Sequence, residues 1–306
     1  MLGNPLVSVL MTTYNRENYI GEAIKSVLAS TYTNFELIIV DDYSVDTTVE
    51  IANRYASSDE RIKVFVNEKN LGDYPNRNRA ASYAAGKYIK YVDSDDLITP
   101  KGLEKMVFAM EQYREAAFGI SQFIFDKDIA YPQLLTPEDS YRQHYNGFEL
   151  FSYGPVGAII KKEAFDSVGG FKATRYVSDT ELWLKLSANF HVIKLEPALV
   201  VWREHPLQEY KLGKQDISYL RLTYPMDITF LSNSNCPLKN VEIEKIKNRL
   251  QWKHARDILS LAFKKGKMKL ALLIYKESGL SFKQLLIGFK SYNLIKKSFS
   301  NINNFF

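Results

Sequence analysis

Two runs of acidic residues stand directly at the ends of apolar stretches. Phe35-Glu-Leu-Ile-Ile-Val40 leads into Asp41-Asp42, and Lys87-Tyr-Ile-Lys-Tyr-Val92 leads into Asp93-Ser94-Asp95-Asp96. If both stretches are parallel strands of an open α/β sheet, their carboxyl ends face the crevice where such sheets bind ligands. Five carboxylates, at 41, 42, 93, 95 and 96, are then expected at one rim. Like charges at that density raise one another's pKa and repel. A divalent cation relieves the repulsion and offers a seat for a diphosphate. The pattern predicts a metal-assisted site for a nucleotide-linked substrate.

The elements needed to place those acids can be read from periodicity. Leu6 to Met11 reads as a buried first strand, followed by a helix with Ile20, Ile24, Val27 and Leu28 on one face. Phe35 to Val40 is the second strand. Thr47-x-x-Glu50 has capping-box spacing ahead of a helix carrying Ile51, Ala52 and Tyr55. Arg61 to Val66 is the third strand, and Asn76 to Ala85 is a helix closed by Gly86 at the position after its C-cap. Tyr88 to Val92 is the fourth strand, and Pro100 is expected in the first turn of a helix that turns Leu103, Met106, Val107 and Met110 inward. This alternation predicts a mostly parallel, Rossmann-like mixed sheet flanked by helices. Farther on, Phe123 to Phe125, Pro155 to Ile160 and Val192 to Trp202 read as extended, and Asp179 to Ala188 as helical. The expected division is an α/β domain over 1–215 and a helical, basic region over 216–306.

Bulk composition narrows the function classes. The 306 residues are 46% apolar and 25% charged, ordinary for a folded protein. The single cysteine, Cys236, excludes an intrachain disulfide and fits a reducing compartment. No basic, apolar leader opens the chain, and no apolar run approaches the length of a membrane span. The expected location is therefore cytoplasmic. The net charge of +5 is uneven: from Lys239 onward fifteen Lys/Arg face four Asp/Glu, so this tail carries +11 and the preceding residues −6. An acidic body argues against a nucleic-acid enzyme, whose catalytic body is usually basic.

Taken in order, several segments resemble family 2 glycosyltransferases with the GT-A fold. They are Val7-Ser-Val-Leu-Met-Thr-Thr-Tyr-Asn15, Phe35 to Asp42, Asn70-Leu-Gly72 with Arg77-Asn-Arg79, Gly86-Lys-Tyr-Ile to Asp96, and Gly169-Gly-Phe171 before Ser178-Asp-Thr-Glu-Leu-Trp183. The resemblance spans roughly residues 5 to 205. It implies inverting transfer of a hexose-type sugar from a nucleotide diphosphate donor, with Mn²⁺ or Mg²⁺ as cofactor. The donor expected is a UDP-sugar, and the setting is bacterial surface glycan assembly.

The resemblance also implies roles. Asp42 matches the residue that accepts a hydrogen bond from the nucleobase, where an acceptor favours a base with an imino N–H such as uracil. Thr12 and Tyr14 match positions lining base and ribose, and Arg77 matches an arginine near the donor nucleotide. Asp93-Ser94-Asp95-Asp96 matches the D-x-D element: Asp95 or Asp96 on the metal, Asp93 near the ribose or the metal's outer shell. Asp179 matches the catalytic base that takes the acceptor hydroxyl proton, with Glu181 as the fallback. Ser178 replaces the acid that usually precedes that base. His205 matches a histidine that some relatives place near metal and diphosphate. Each residue also has a plainer reading: turn former for Asp41 and Asp42, helix cap for Asp179, solvated helix face for Arg77 and Arg79.

The Gln-x-x-Arg-Trp element of processive synthases is absent, which favours single addition. A sugar nucleotidyltransferase would need a Gly-rich basic loop after the first strand, and a nicotinamide enzyme a G-x-G-x-x-G there; Thr12-Thr-Tyr-Asn-Arg16 is neither. A non-catalytic sugar-nucleotide-binding scaffold is the remaining alternative. In the tail, Phe282, Leu285, Leu286 and Phe289 recur at helical spacing among lysines, with Lys264-Lys265 and Lys296-Lys297 nearby. Two readings stand here: a helical bundle packed for its own sake, or one that also meets an anionic membrane surface. A glycan or lipid-linked acceptor suits the second.

Overall fold

The computed structural model describes residues 3–121, 129–205, 209–215, 217–286 and 288. The expected strand at Phe123 to Phe125 and the tail residues Phe289, Lys296 and Lys297 lie outside them. The chain divides into two compact units, Met1–Pro206 and Leu207–Phe306.

The first unit opens with β1 (Val7–Thr13), α1 (Ile20–Leu28), β2 (Phe35–Asp41), α2 (Thr48–Ala56), β3 (Ile62–Val66), α3 (Asp73–Ser82) and β4 (Tyr88–Tyr91). Every residue of β1, β2 and β4 is buried, Ser8, Glu36 and Lys90 included, so these mostly apolar strands have no solvated face. There follow β5 (Leu97–Ile98), α4 (Gly102–Gln112), β6 (Ala116–Ser121), β7 (Gln133–Leu135), α5 (Pro137–Gln143), β8 (Ala158–Lys161), α6 (Lys162–Ser167), α7 (Ser178–Ser187), β9 (His191–Leu195) and β10 (Val200–Val201). The main sheet has the order β3-β2-β1-β4-β8-β6-β9-β7. Strands β3, β2, β1 and β4 are parallel. β8 runs antiparallel to β4 and β6, β9 parallel to β6, and β7 antiparallel to β9. The sheet is the mixed one expected, with its parallel half first.

β1 lies between β2 and β4, so the strand order reverses around it and opens a crevice at the carboxyl ends. Thr13 is opposite Asp41 and Leu10 opposite Tyr91, so both acidic runs emerge at the same rim. Beneath them, Val9, Met11, Leu37 and Ile39 pack with Ile20, Ile24 and Val27 of α1 and Leu103, Met106 and Met110 of α4. A second small sheet pairs β5 with β10, Ile98 opposite Val200. Because the pair is antiparallel, it brings Asp95 and Asp96, just before β5, beside the residues that follow Val201.

Several local expectations are corrected. Thr47 does not cap α2 through its side chain; its hydroxyl bonds Glu17 at 2.7 Å instead. α3 starts at Asp73 and ends at Ser82 with Tyr83 at its C-cap, so Gly86 does not close it. A Cβ on Gly86 would fall 2.6 Å from the Ser8 amide nitrogen, so the glycine is there for the close approach of β4's entry to β1. α4 starts at Gly102, with Lys101 at its N-cap and Pro100 before that. Pro155–Gly157 forms a single 3₁₀ turn ahead of β8. The stretch from 192 to 202 is broken into β9 and β10.

The second unit contains α8 (Glu209–Gln215), α9 (Ser218–Leu231), α10 (Asn240–Phe263) and α11 (Met268–Ser278). Ala255, Ile258 and Leu261 of α10 pack on Ala271 and Ile274 of α11. No helix among the described residues is long and apolar enough to cross a membrane.

Candidate active site

The rim carries one cluster with the geometry of a cation site. Carboxylate oxygens of Asp93, Asp95 and Asp96 all lie within 4.8 Å of one another. Asp41 and Asp42 stand at the same rim but are not part of it. Asp41 is used locally: its Oδ1 accepts the Ser44 N–H at 2.7 Å and its Oδ2 accepts the Ser44 hydroxyl at 2.5 Å, an Asx-type turn after β2. Burial pushes its carboxyl above the usual value despite these bonds.

Asp42 is nearly enclosed, at 3% exposure. Its Oδ1 accepts from Asn67 Nδ2 at 2.7 Å and from the Leu71 N–H at 2.7 Å, and its Oδ2 from the Gly72 N–H at 2.8 Å. A carboxylate has about four acceptor positions, so one direction on Oδ2 remains for a ligand. The carboxylate thus anchors the Asn70-Leu-Gly72 turn that starts α3. Thr12 is buried near the end of β1 and Tyr14, just beyond, is exposed at 45%. Thr13, between them, has a buried hydroxyl oxygen with no hydrogen-bond partner.

α3 ties that end of the site to the acidic cluster. Arg77 Nε donates to Asp73 Oδ1 at 2.8 Å, while its two terminal nitrogens hold Asp93 in a fork at 2.6 and 3.0 Å. The guanidinium is buried and lies over the Tyr91 ring. It therefore orients Asp93 rather than standing as a solvated helix face; Arg79 is the exposed one. Bidentate pairing of this kind fixes angle as well as distance.

Asp95 is held from two sides. Arg16 Nε donates to its Oδ2 at 2.8 Å, and His205 Nε2 lies 2.9 Å from the same oxygen. Burial would raise this carboxyl, but the charges of Arg16 and His205 outweigh it and hold Asp95 below its ordinary value. Asp96 is different. Burial and repulsion from Asp93 and Asp95 push it well above the carboxylate range, although the Arg203 N–H bonds its Oδ1 at 3.0 Å. Arg203 Nε also donates to the Asp95 carbonyl, at 2.5 Å. The β5–β10 pairing is what delivers Arg203 and His205 here. His205, matched in the sequence to a histidine near metal and diphosphate, is 5% exposed and directly on the cluster.

These three acids fit a hard divalent cation. The donors are all oxygen, they converge, and Asp96 carries the excess like charge that a cation would relieve.

Lys90 escaped the sequence reading. It is fully buried on β4, and its ammonium donates to the carbonyls of Tyr91 (2.9 Å) and Val156. Burial pushes it down to about 7, against the pull of Asp93 and Asp96. A lysine inside an apolar strand normally signals an edge or a solvated face, so the pattern offers no cue. Here it fills the place where β4 and β8 part after Ile89 and Ile160.

Asp179 lies at the second position of α7; Val177 holds the N-cap position, so capping is not its role. Its Oδ1 accepts the Thr180 N–H at 2.7 Å, and its Oδ2 is the nearest side-chain atom to the open face of Gly154. Burial, reinforced by Asp73, pushes its carboxyl up to about 6. Asp73 is also the residue that Arg77 bridges to Asp93, so Asp179 shares one electrostatic neighbourhood with the cluster. Glu181 is buried and ion-paired with Lys172 at 2.6 Å and Lys185 at 3.4 Å. Glu181 is thus engaged by two lysines, whereas Asp179 Oδ2 faces Gly154.

The profile of the family described as glycosyl transferase family 2 matches residues 8–169. The chain is 33% identical over 244 residues to a protein named as glycosyltransferase EpsE of Bacillus subtilis (strain 168), covering 77% of this chain and 84% of that one. Among solved structures it is similar to S. aureus TarS 1-349 in complex with UDP-GlcNAc, with a TM-score of 0.62, 21% identity, and coverage of 84% of this chain and 73% of that chain. It is also similar to the mannosyltransferase PcManGT from Pyrobaculum calidifontis in complex with GDP-Man and Mn²⁺, with a TM-score of 0.63, 16% identity, and coverage of 95% and 80%. The two structural likenesses show the GT-A fold.

Proposed function

The chain belongs to glycosyl transferase family 2, and we propose that it transfers a hexose-type sugar from a UDP-linked donor to an acceptor hydroxyl with inversion at the sugar carbon. The observation that carries this reading is the reach of α3. Its first turn is bonded to Asp42, its middle holds Asp93 through Arg77, and Asp73 and Arg77 both act on Asp179. Nucleotide, cation and proton-accepting sites are thereby spaced along one helix.

In this reading Asp42 offers its remaining lone pair to the imino N–H of the base, with Thr12, Tyr14 and the unsatisfied Thr13 hydroxyl lining base and ribose. Asp95 and Asp96 would hold Mg²⁺ or Mn²⁺, with Asp93 beside them and His205 next to Asp95. The ion, when bound, neutralises the charge of the departing nucleoside diphosphate. Arg16 and Arg203 keep the two acids in place. Asp179, with its carboxyl near 6, is ionised at neutral pH and basic enough to take the proton from the acceptor oxygen. Inversion follows from one displacement with one base. The single cysteine fits a cytoplasmic enzyme, and in this reading the acceptor is a glycan or lipid-linked glycan of bacterial surface assembly. A nucleotide-release assay over a panel of UDP- and GDP-sugars with Mn²⁺ tests the reading. Release from one UDP-sugar, increased by a suitable acceptor, is expected; tight nucleotide binding with no release from any donor would make the protein a scaffold instead.

A further inference from the structure

The second unit exposes an amphipathic surface at the turn between α10 and α11. All seven residues from Phe263 to Lys269 are exposed. Phe263 is 65% exposed, Met268 45%, Leu272 52% and Leu273 44%. Single exposed apolar residues need no explanation, but four within eleven positions do. Helical spacing collects them: Met268, Leu272 and Lys276 form one row, four residues apart, and Lys269 and Leu273 form the adjoining row. Ala271 and Ile274 occupy the opposite face and are buried against α10. The outer face is thus apolar and cationic at once, with Lys265 and Lys267 exposed at its tip. The one acid of α11, Glu277, is ion-paired with Arg221 at 2.5 Å and leaves that positive charge intact.

We propose that this face docks on a bilayer surface containing anionic lipid, with Met268, Leu272 and Leu273 entering the acyl boundary and the lysines among the headgroups. Three arguments select a bilayer. Lysine stems extend along apolar surface while their ammonium groups stay in the polar layer, so alternating Leu and Lys match an interface that changes polarity over a few ångströms. A twofold contact with a second copy would set the same lysines against one another. A nucleic acid would meet the lysines but leave the aliphatic side chains in water. The charge division points the same way: the tail from Lys239 carries +11 and the rest of the chain −6, so an anionic surface attracts this region and repels the remainder. The inference is independent of the transfer reading, because it is read without any sugar donor.

The test is co-sedimentation of the full chain with vesicles of phosphatidylcholine alone, or with about one third phosphatidylglycerol. The wild-type protein is expected on the anionic vesicles only, and to leave them in high salt. Replacing Lys265, Lys267 and Lys269 together by Gln is expected to lower partitioning by about a hundredfold, at roughly fivefold per lysine. The pair Leu272→Ser and Leu273→Ser is expected to lower it at least tenfold with an unchanged melting temperature, since both side chains are already in water. Equal partitioning of wild type and both variants, or no binding to anionic vesicles, would overturn the proposal. So would a wild-type dimer in sedimentation equilibrium that the leucine pair dissolves, because that face would then belong to a second copy.

Discussion

Asn78 grips Phe171 by both backbone groups: its Nδ2 donates to the Phe171 carbonyl at 2.7 Å, and its Oδ1 accepts the Phe171 N–H at 3.0 Å. Asn78 belongs to α3, the helix that also holds Asp93, and Phe171 closes the Gly169-Gly-Phe171 turn that leads towards Asp179. The Phe171 ring packs on Tyr74 and Tyr91, 5.3 and 5.6 Å away. Gly170 has φ +63, and a Cβ there would fall 2.7 Å from Asn78 Oδ1, so the turn is shaped around the clamp.

Asn78→Ala removes both bonds and leaves two backbone groups without partners. The expected cost is about 1–3 kcal/mol of stability, read as a lower urea midpoint. Turnover should fall at least tenfold while nucleotide affinity changes little, because the loss is on the Asp179 side of α3. Equal losses in affinity and turnover would show that the clamp serves the whole site rather than the base.

Asp179→Asn should lower transfer by about 10²–10⁴-fold, the range for a positioned base, and leave metal-dependent nucleotide binding intact. Glu181→Gln should keep most of the activity. Only ionised Asp179 accepts a proton, and its carboxyl is raised to about 6. The rate is therefore expected to be full above that pH and to fall tenfold per unit below it. Such a limb in the kcat/KM profile, reported at saturating cation, checks the assignment.

Lys90→Met keeps the length of the side chain but deletes its bonds to the Val156 and Tyr91 carbonyls. A loss of about 1–3 kcal/mol is expected from the orphaned carbonyls, measured by chemical denaturation. Lys90→Arg should not rescue it, since a buried guanidinium is larger than the space left by an ammonium.

His254 gives the second unit a pH dependence. It is buried, stacked on Tyr224 at 4.3 Å, and burial lowers it from 6.5 to about 4. The unfolded chain therefore takes up the proton first as the pH falls. The stabilising contribution is complete above about 6.5 and is lost as the pH falls towards 4, up to about 3 kcal/mol in all. In the first unit, desolvation lowers His144 as well, so it acts in the same direction. Melting curves at neutral pH and near pH 5 should show a smaller acid-induced drop for His254→Phe than for wild type.

The parts of the site that follow strand ends were legible in the sequence. A short, mostly apolar and β-branched run such as Phe35 to Val40 reads as a strand, and its end places Asp41 and Asp42 at the rim. Asp93, Asp95 and Asp96 follow β4 by the same logic. What stayed hidden were contacts between distant segments. Arg16 and His205 meet on Asp95 only because β1 and the β5–β10 pair end at one place, and no local pattern encodes that. Lys90 was hidden because alternation cannot distinguish a buried lysine with two carbonyl partners from a solvated one. The start of α2 was legible, with Thr47 at its N-cap position, but the bond of the Thr47 hydroxyl to distant Glu17 was not. Gly86 was read as a helix stop when close packing against Ser8 is its reason.

The central claim is that Asp95 and its neighbours hold a divalent ion against a nucleoside diphosphate. Calorimetric titration of UDP into the wild-type protein and Asp95→Asn, with Mn²⁺ and then with excess chelator, tests it most directly. The account predicts binding that needs the cation and weakens at least tenfold in Asp95→Asn. UDP binding indifferent to both the chelator and the substitution would contradict it.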